Sequence, residues 1–492
     1  MESIREYKTA SILTPVYVTV EVIMEVLIPF VMASLIDKGI EAGSMSVIWK
    51  YGIILLVLAM IALAFGSMAG HQASIASCGL AQNLRKDMYY RIQNFSFSNI
   101  DKFSTASIVT RLTTDVTNVQ NAYQMLIRVA VRAPIMMIFA MIMSFTINVK
   151  ISLIFLATIP VLGFILIWLA QHVHPYFERV FNTYDRLNEV VQENLHGVRV
   201  VKSFIREEHE DQKFGKNFQK KIYVDFAKAE KMLAFNMPAM MCAINVCLLA
   251  IAWIGAKAII VSGNTPGIAG GMTTGELMSL FSYAIQILMC LMMISMVFVM
   301  VIIARSSAER IVEILTEESD IQNKENPVTE VSDGSIEFEN VAFSYAKKAD
   351  KPVLDNINLK INSGETIGII GGTGSSKSSL VQLIPRLYDV TSGEVKVGGV
   401  DVRDYDLETL RDSVAMVLQK NVLFSGTIKE NLRWGNEKAT DEELIHACKL
   451  AQADDFVQTF PHKYDTYIEQ GGNNVSGGQK QRLCIARALL KK

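Results

Sequence analysis

The sequence has 492 residues, of which 50% are hydrophobic and 20% are charged, and its mean hydropathy is +0.28. Such an apolar composition indicates a membrane protein rather than a soluble one. The formal net charge of -2 gives no basic excess, which argues against a nucleic-acid-binding protein. Six cysteines occur without a C-x-x-C pair, so we expect reduced packing cysteines and neither disulfides nor a zinc site.

Apolar runs in the first part of the chain are each near the ~20 residues that a helix needs to cross a bilayer. They predict six membrane helices, at residues 12–36, 51–69, 126–147, 151–170, 238–261 and 277–303. The first run is too long for the apolar core of a signal peptide and has no small-residue cleavage site after it. We therefore expect it to be retained as a helix.

The stretches between spans two and three and between spans four and five are long and rich in lysine and arginine. The positive-inside rule predicts that both stretches, and both termini, are cytoplasmic. Apolar residues at helical spacing within 187–204 predict that the membrane helices continue into the cytoplasm.

Charged residues inside the predicted spans are few, and two pairs of them stand out. Glu21 and Glu25 are four apart on the first span, and Arg128 and Arg132 are four apart on the third, so each pair shares a helix face. Two interpretations stay open. The charges could line a polar substrate path, or they could form an ion pair between helices, with arginines reaching toward the inner interface.

The character of the sequence changes after residue 303, where an amphipathic segment and a polar segment containing Pro327 follow. We predict a transmembrane domain over 1–318, a linker over 319–333 and a soluble domain over 334–492. Strands are predicted at 335–345, 365–371, 394–402 and 413–419, between turns and helices. This alternation predicts an α/β domain.

A buried strand, a glycine-rich turn and a helix are predicted in "ETIGIIGGTGSSKSSLVQLIPRL". Such a loop places backbone N–H groups around phosphates, with a lysine for the outer phosphates and a hydroxyl for Mg²⁺. Lys377 and Ser378 fill those positions, although Ser376 stands where the strict motif has glycine. The alternative is a tight turn that binds no ligand.

A second glycine-rich helix start occurs in "NNVSGGQKQR". Ser476 and Gln479 fit a capping box, which would be a purely structural role. Gly477 and Gly478 are not explained by capping, because each glycine in a helix costs about 0.8–1 kcal/mol relative to alanine. A bare, positively polarised helix start instead allows a phosphate group to approach closely.

Taken together, these motifs resemble those of ATP-binding cassette (ABC) exporters. "GGTGSSKS" resembles the Walker A loop, "VSGGQ" the signature motif, Tyr345 the A-loop aromatic residue and Gln419 the Q-loop glutamine. Alone, that tyrosine and glutamine would more often be structural. The ATP-binding residues implied by the resemblance are Tyr345, Gly371, Gly372, Thr373, Gly374, Ser375, Ser376, Lys377, Ser378, Ser379 and Gln419. Mg²⁺ would be bound by Ser378 and Gln419, and the signature residues facing a partner's ATP would be Val475, Ser476, Gly477, Gly478 and Gln479.

The resemblance implies an all-α six-helix transmembrane domain followed by an α/β P-loop nucleotide-binding domain. It implies a half-transporter of the cell membrane that dimerises, with cytoplasmic nucleotide-binding domains and ATP-driven export. Residues 97–116 and 193–214 would form the loops whose coupling helices rest on those domains. The stretch after Thr440, with its capping box to Glu443, would lie in the helical subdomain that carries the signature.

Two departures from the family pattern bear on activity. The sequence ends at "ARALLKK", before the positions of the Walker B aspartate, the catalytic glutamate and the switch histidine. We therefore assign no catalytic residue, expect an incomplete nucleotide-binding domain, and expect a longer protein to supply ATPase activity. Ser376, and "EQGG" where relatives often have "GERG", favour one half of a heterodimer with unequal sites.

Other functions remain open from the sequence. The same parts could make an ATP-gated channel or regulator, or a non-catalytic partner subunit. The apolar, methionine-rich membrane half is suited to amphipathic small molecules or lipids as substrates, although methionine is also ordinary packing. The expected partners are a second half-transporter, the lipid bilayer and such a substrate, and no nucleic acid.

Overall fold

The computed structural model describes residues 2–214, 220–264, 271–345 and 351–491. The chain divides into two compact units. Residues 1–89 and 109–315 form the first unit, and residues 90–108 and 316–492 form the second.

Most of the described residues up to 316 are helical. Its α-helices are α1 (Lys8–Leu35), α2 (Met45–Gln93), α3 (Phe97–Lys102), α4 (Thr105–Thr110), α5 (Val116–Ile147), α6 (Val149–Ser203), α7 (Glu207–Phe214), α8 (Lys220–Ala234), α9 (Asn236–Ser262) and α10 (Thr274–Thr316). Of these, α3 and the first residues of α4 belong to the second unit.

Five of the six predicted spans match described helical segments of membrane-crossing length. Within the described residues, five helical segments are long and apolar enough to span a bilayer: Ser3–Ile40, Met45–Gln93, Thr105–Ile147, Met241–Ser262 and Thr274–Thr316. The remaining predicted span, 151–170, lies in the first part of α6, where the apolar stretch is Val149–Ile165. Each of the six predicted spans therefore falls within a helix.

Several of these helices are much longer than a membrane crossing requires. Helix α6 has 55 residues, which at about 1.5 Å per residue gives ~80 Å, against ~30 Å of hydrocarbon. It includes nearly all of the segment 187–204 whose periodicity predicts a helix. The prediction that membrane helices extend well beyond the apolar layer is confirmed for this helix.

The core of the first unit forms where α1, α5 and α10 meet. Val18, Val22 and Val26 recur every four residues along α1 and are almost fully buried in that cluster. Tyr283 of α10 is fully buried there, and its hydroxyl donates to the carbonyl oxygen of Val26 at 2.8 Å. Large apolar side chains also point outward, including Leu56 of α2, which is 65% exposed. That outward apolar surface is expected of a helix in contact with lipid.

The second unit contains a four-stranded antiparallel sheet of order β2-β1-β3-β4. Its strands are β1 (Ile336–Phe343), β2 (Leu354–Ile361), β3 (Ser392–Val397) and β4 (Val400–Asp401). Gly398 and Gly399 join β3 to β4 with positive φ values of 57° and 77°, as a two-residue hairpin turn requires. Buried Phe338, Phe343 and Val395 form part of a core that also includes Leu383 of helix α11 (Lys377–Leu383).

Two of the predicted strands are wrong. Residues 365–371 and 414–418 are not assigned to any strand, and the sheet strands have no pairing with them within the described residues. Their apolar side chains are accordingly uncovered, with Ile370 97% exposed and Leu418 42% exposed. An apolar run becomes a strand only when its backbone finds a partner, which sequence pattern alone does not supply. Ser413 itself ends helix α12 (Leu407–Ser413).

Conversely, β2 was not predicted. Its polar residues Asp355, Asn356 and Asn358 weaken the apolar run, yet it pairs with β1 from Ile336↔Ile361 to Phe343↔Leu354. The alternation of apolar Ile357, Leu359 and Ile361 was the available signal.

A small helical subdomain completes the second unit. Its elements are β5 (Gly426–Thr427), α13 (Ile428–Arg433), α14 (Asp441–Leu450), α15 (Asp454–Gln458), β6 (Tyr467–Ile468) and α16 (Gly477–Leu489). The predicted capping box at α14 is confirmed, since the Glu443 N–H donates to Thr440 Oγ1 at 3.3 Å and the Thr440 N–H donates to Glu443 at 2.9 Å. Buried Leu444, Cys448 and Leu483 hold α14 and α16 together.

Candidate functional site: the P-loop, the signature helix and their surroundings

The glycine-rich loop precedes α11 and is closed by its own lysine. The ammonium group of Lys377 donates to the carbonyl oxygens of Gly371 and Gly372, both at 2.8 Å, and to the hydroxyl of Ser375 at 3.0 Å. A Cβ atom at position 371 would lie 2.6 Å from that hydroxyl, so a side chain there would displace Ser375 Oγ from the lysine. The loop is exposed to solvent from Gly371 to Ser375.

Two loop residues adopt left-handed backbone. Gly374 has φ of 86°, which glycine tolerates, and Ser376 has φ of 59° and ψ of 20°. Ser376 is the residue that departs from the family motif. A non-glycine residue in this region costs about 1–2 kcal/mol. The loop therefore keeps the backbone shape that favours glycine while carrying a serine.

Tyr345 lies directly beside the first turns of α11. Its hydroxyl is 2.9 Å from Ser379 Oγ and donates to Gln382 Oε1 at 3.3 Å. Its ring is 4.8 Å from Phe343 and 5.1 Å from Tyr388, both edge to face. Because the residue is still 50% exposed, an open surface of the ring remains for a ligand. The structure thus brings together Tyr345 and the Walker A-like helix.

Among the described residues, Gln419 makes no hydrogen bond to that group. It lies in a bend after the unpaired segment 414–418 and is exposed. Neither Gln419 nor Ser378 makes a side-chain hydrogen bond within the described ranges of the chain. Both side chains are therefore available to a ligand, and the approach of Gln419 to Ser378 remains a prediction. Thr373, at the exposed tip of the loop, is likewise placed without a bonding partner among the described residues.

The capping box at the signature helix is formed. The Gln479 N–H donates to Ser476 Oγ at 3.3 Å, and the Ser476 N–H donates to Gln479 Oε1 at 2.8 Å. Val475 is buried in the helical subdomain and anchors the start of α16. The structural role that the sequence offers for Ser476 and Gln479 is thereby confirmed.

That capping role leaves the two glycines unexplained. A Cβ atom added at Gly477 or Gly478 would meet nothing within 4 Å, so no side chain in the described parts of this chain requires glycine there. The N–H groups of both residues also lack an acceptor within the described chain. Unpaired N–H groups at the first turn of a 13-residue helix carry the positive end of its dipole.

Inside the membrane unit, Arg132 binds both glutamates of α1. Its guanidinium donates to Glu25 at 2.7 and 2.8 Å, and it is also paired with Glu21. Glu21 is only 6% exposed, and a side chain at Gly66 of α2 would meet its carboxylate at 2.9 Å. The ion-pair interpretation is confirmed for Arg132. Arg128 lies against Gly70 instead and has no ion pair in the described part of the chain.

A residue that the sequence did not single out connects to this site. Tyr388 follows α11, contacts Tyr345 edge to face, and donates its hydroxyl to Asp101 of α3 at 2.7 Å. Burial raises the pKa of Tyr388 well above its usual range, and the hydrogen bond to Asp101 raises it further. The hydroxyl therefore remains a protonated donor at neutral pH. Sequence pattern gave no signal for Tyr388, because its partner is 287 positions away.

Comparison with protein families agrees with this architecture. Residues 12–291 match the family described as ABC transporter transmembrane region, and residues 354–492 match the family described as ABC transporter. The chain belongs to the ABC transporters. It is a membrane protein of the ATP-driven exporter type, a half-transporter with a helical membrane domain followed by a cytoplasmic ATP-binding domain.

Individual relatives cover most of the chain. The uncharacterized ABC transporter ATP-binding protein YfiB of Bacillus subtilis is 36% identical over 96% of this chain and 80% of its own length. An ABC transporter ATP-binding protein of Mycobacterium tuberculosis, Rv1273c, is 34% identical over 100% of this chain and 83% of its own length. An ATP-dependent lipid A-core flippase of Syntrophus aciditrophicus is 30% identical over 89% of this chain and 71% of its own length.

Proposed function

We propose that this chain binds ATP and Mg²⁺ between its own Walker A loop and the signature helix of a second half-transporter. Closure of the two nucleotide-binding domains on ATP would switch the membrane cavity from inward- to outward-facing and export an amphipathic small molecule or a lipid. Nucleotide drives this change only through contacts that differ between the two states. An interface with one Walker A loop and one signature helix from each chain would supply such contacts.

The open helix start at Gly477 and Gly478 is the observation that carries this proposal. Both residues lack side chains and have free N–H groups, although the described chain places nothing near them. Glycine there costs helix stability without any compensating contact inside the chain. A phosphate held by another chain would explain both the missing side chains and the unpaired donors.

In the Walker A loop, Lys377 would exchange its present acceptors for phosphate oxygens. The carbonyl groups of Gly371 and Gly372 hold the ammonium group at the loop itself, so its charge is already placed where phosphate is expected. Residues Gly371 to Ser379 would then surround the phosphates with backbone N–H and hydroxyl donors. Charge-assisted hydrogen bonds of this kind are about twice as strong as neutral ones.

Ser378 and Gln419 would bind Mg²⁺, which neutralises phosphate charge when it is bound. Both offer an oxygen atom, the ligand type that Mg²⁺ binds, and neither oxygen is engaged by a residue in the described ranges. Tyr345 would stack on adenine with its exposed ring surface, while its hydroxyl stays on Ser379. Such stacking is worth about 1–3 kcal/mol per base in nucleic-acid complexes.

The class of substrate is inferred from two relatives, and the kind of partner is inferred from two departures from the family motifs. Two relatives, at 30% and 29% identity, are ATP-dependent lipid A-core flippases, which favours an amphipathic or lipid substrate. Ser376 in the Walker A loop and Gln470 within "EQGG" favour a heterodimer with unequal sites over a homodimer. Purification of this half-transporter alone as an active homodimer would contradict the heterodimer.

The nucleotide site is tested by Lys377→Ala in the transporter reconstituted in lipid nanodiscs. We expect ATP affinity to fall by about 10- to 100-fold, because the variant loses charged hydrogen bonds worth about 1.5–3 kcal/mol. Lys360→Ala is the matched control, because Lys360 lies on β2 and only makes an exposed pair with Glu337. If both variants bind ATP like the wild type, the loop is a turn without a ligand.

A second candidate function is that of a degenerate-site partner, in which this chain lends its signature helix while its own Walker A loop works poorly. The left-handed Ser376 favours it. An ATP-gated channel is the further alternative. ATP turnover that accompanies substrate movement against a gradient supports the exporter, and movement only down a gradient supports the channel.

A further inference from the structure

Helix α3 is held within the second unit by two separate attachments. The first is polar and lies at the segment following α10. Asn99 and Lys102 donate to Glu317 at 2.9 and 2.6 Å, while the hydroxyls of Ser96 and Ser98 donate to Asp320 at 2.6 and 2.7 Å. This attachment ties α3 to the beginning of the segment 316–492 of the same unit, far in sequence from the glycine-rich loop.

The second attachment is Tyr388. Its hydroxyl donates to Asp101 at 2.7 Å, and its ring lies 6.0 Å from that of Phe97. The same ring meets Tyr345 at 90° with centroids 5.1 Å apart. One side chain therefore contacts both the residue expected to stack on adenine and the helix that begins the first cytoplasmic loop.

The aromatic contacts leave little freedom around this side chain. Phe343 is 2% exposed, and its ring lies within 4.8 Å of Tyr345 and 5.7 Å of Tyr388. The three rings form one packed group, fixed at one end by the Tyr345 hydroxyl on Ser379 and at the other by Asp101. A change in the position of Tyr345 therefore has to be accommodated by Tyr388.

We propose that Tyr388 is a positioning residue that couples nucleotide occupancy at Tyr345 to the placement of α3. A base stacked on Tyr345 limits the motion of that ring. Because the ring of Tyr388 contacts Tyr345 edge to face, the motion of Tyr388 is limited as well, and the hydrogen bond from the Tyr388 hydroxyl then holds Asp101 of α3 more firmly. By reciprocity, restraint of α3 favours nucleotide binding by the same factor. The proposal rests on the ATP site described above.

The coupling is measurable by hydrogen exchange of the α3 amides in the reconstituted transporter, with and without the non-hydrolysable ATP analogue AMP-PNP. In the wild type we expect the analogue to slow exchange of residues 97–102 by about 5- to 10-fold, within the usual range of allosteric couplings. In Tyr388→Phe, which keeps the ring and removes the hydroxyl, we expect less than about 2-fold slowing. AMP-PNP affinity should fall by less than about 10-fold, so that the variant still saturates.

Tyr464→Phe is the matched control. Tyr464 also donates its hydroxyl to an aspartate at 2.7 Å, Asp454, but in the helical subdomain. The Tyr464→Phe variant loses an equivalent hydrogen bond, and we expect AMP-PNP to slow amide exchange in α3 as much as it does in the wild type. Asp101→Ala removes the acceptor from an exposed helix position and should reproduce Tyr388→Phe even if the latter folds poorly.

The outcomes distinguish failure of the proposed ATP site from failure of the role proposed for Tyr388. If AMP-PNP does not bind the wild type, the proposed ATP site is wrong. If it binds, and Tyr388→Phe and Asp101→Ala show the same slowing at α3 as Tyr464→Phe, the nucleotide site stands and Tyr388 only packs beneath α3.

Discussion

The ammonium group of Lys377 lies 2.8 Å from the carbonyl oxygen of Gly371, so the glycine-rich loop binds its own lysine. This contact fixes the loop in a closed shape. It also requires the backbone to reverse direction just ahead of the lysine, at Ser376, where φ is 59°. The charge expected to meet phosphate and the strained residue beside it are thus parts of one local structure.

Ser376→Gly should stabilise this loop. Glycine removes the left-handed penalty but adds freedom to the unfolded chain, so the net gain is up to about 1 kcal/mol in the free energy of unfolding. Thermal denaturation and ATP titration of the purified transporter measure the effect, and both stability and affinity should rise. Ser425→Gly is the control, because Ser425 is exposed and is not among the residues with positive φ. If both changes lower stability equally, Ser376 carries no strain.

Arg132→Leu should destabilise the membrane unit far more than Arg128→Leu. Loss of Arg132 leaves Glu21 and Glu25 without their guanidinium partner, and breaking a buried pair costs about 3–5 kcal/mol. Arg128 has no ion pair within the described chain and serves as the matched control. Thermal stability in lipid nanodiscs gives the comparison. Equal effects of the two substitutions would contradict the ion-pair account.

Charge reversal at Glu25 tests the remaining role of this cluster. If the glutamates also line a substrate path, transport should fall for charged substrates even in protein that folds correctly. Unchanged transport of every tested substrate would leave the cluster with the ion-pair role alone.

The attachment of α3 at Glu317 should weaken in acid. The hydrogen bond from Lys102 lowers the pKa of Glu317 below its ordinary value of 4.5. The stabilisation that ionised Glu317 gives to this attachment is therefore fully present above pH 4.5. It is lost as the pH falls through the lowered pKa that Glu317 has in the folded protein. Exchange of the α3 amides between pH 3 and 6 should show this loss in the wild type but not in Glu317→Gln. The effect is below about 1 kcal/mol, because Lys102 is largely exposed.

Local signals predicted much of this structure. Membrane helices followed from apolar length, and the capping boxes at Thr440 and Ser476 followed from residue spacing alone, because a cap is made within four residues. Pairing across long sequence separations was less predictable. The segments 365–371 and 414–418 have the composition of strands but no partner, and β2 has a partner but a weak composition. Tyr388 could not be found from sequence, since its role depends on residues 43 and 287 positions away.

The central claim is that the start of α16 is kept bare for a nucleotide held by another chain, and Gly478→Ala tests it most directly. The added methyl group meets no atom of the described residues within 4 Å, and alanine should stabilise the helix by about 0.5–1 kcal/mol. The account predicts that the thermal stability of the full-length dimer rises while its ATP turnover falls by about 10-fold or more. A 10-fold fall corresponds to the loss of ~1.4 kcal/mol of transition-state stabilisation, which the close phosphate contact would supply. Higher stability with unchanged ATP turnover would contradict it, because nothing would then need the bare backbone.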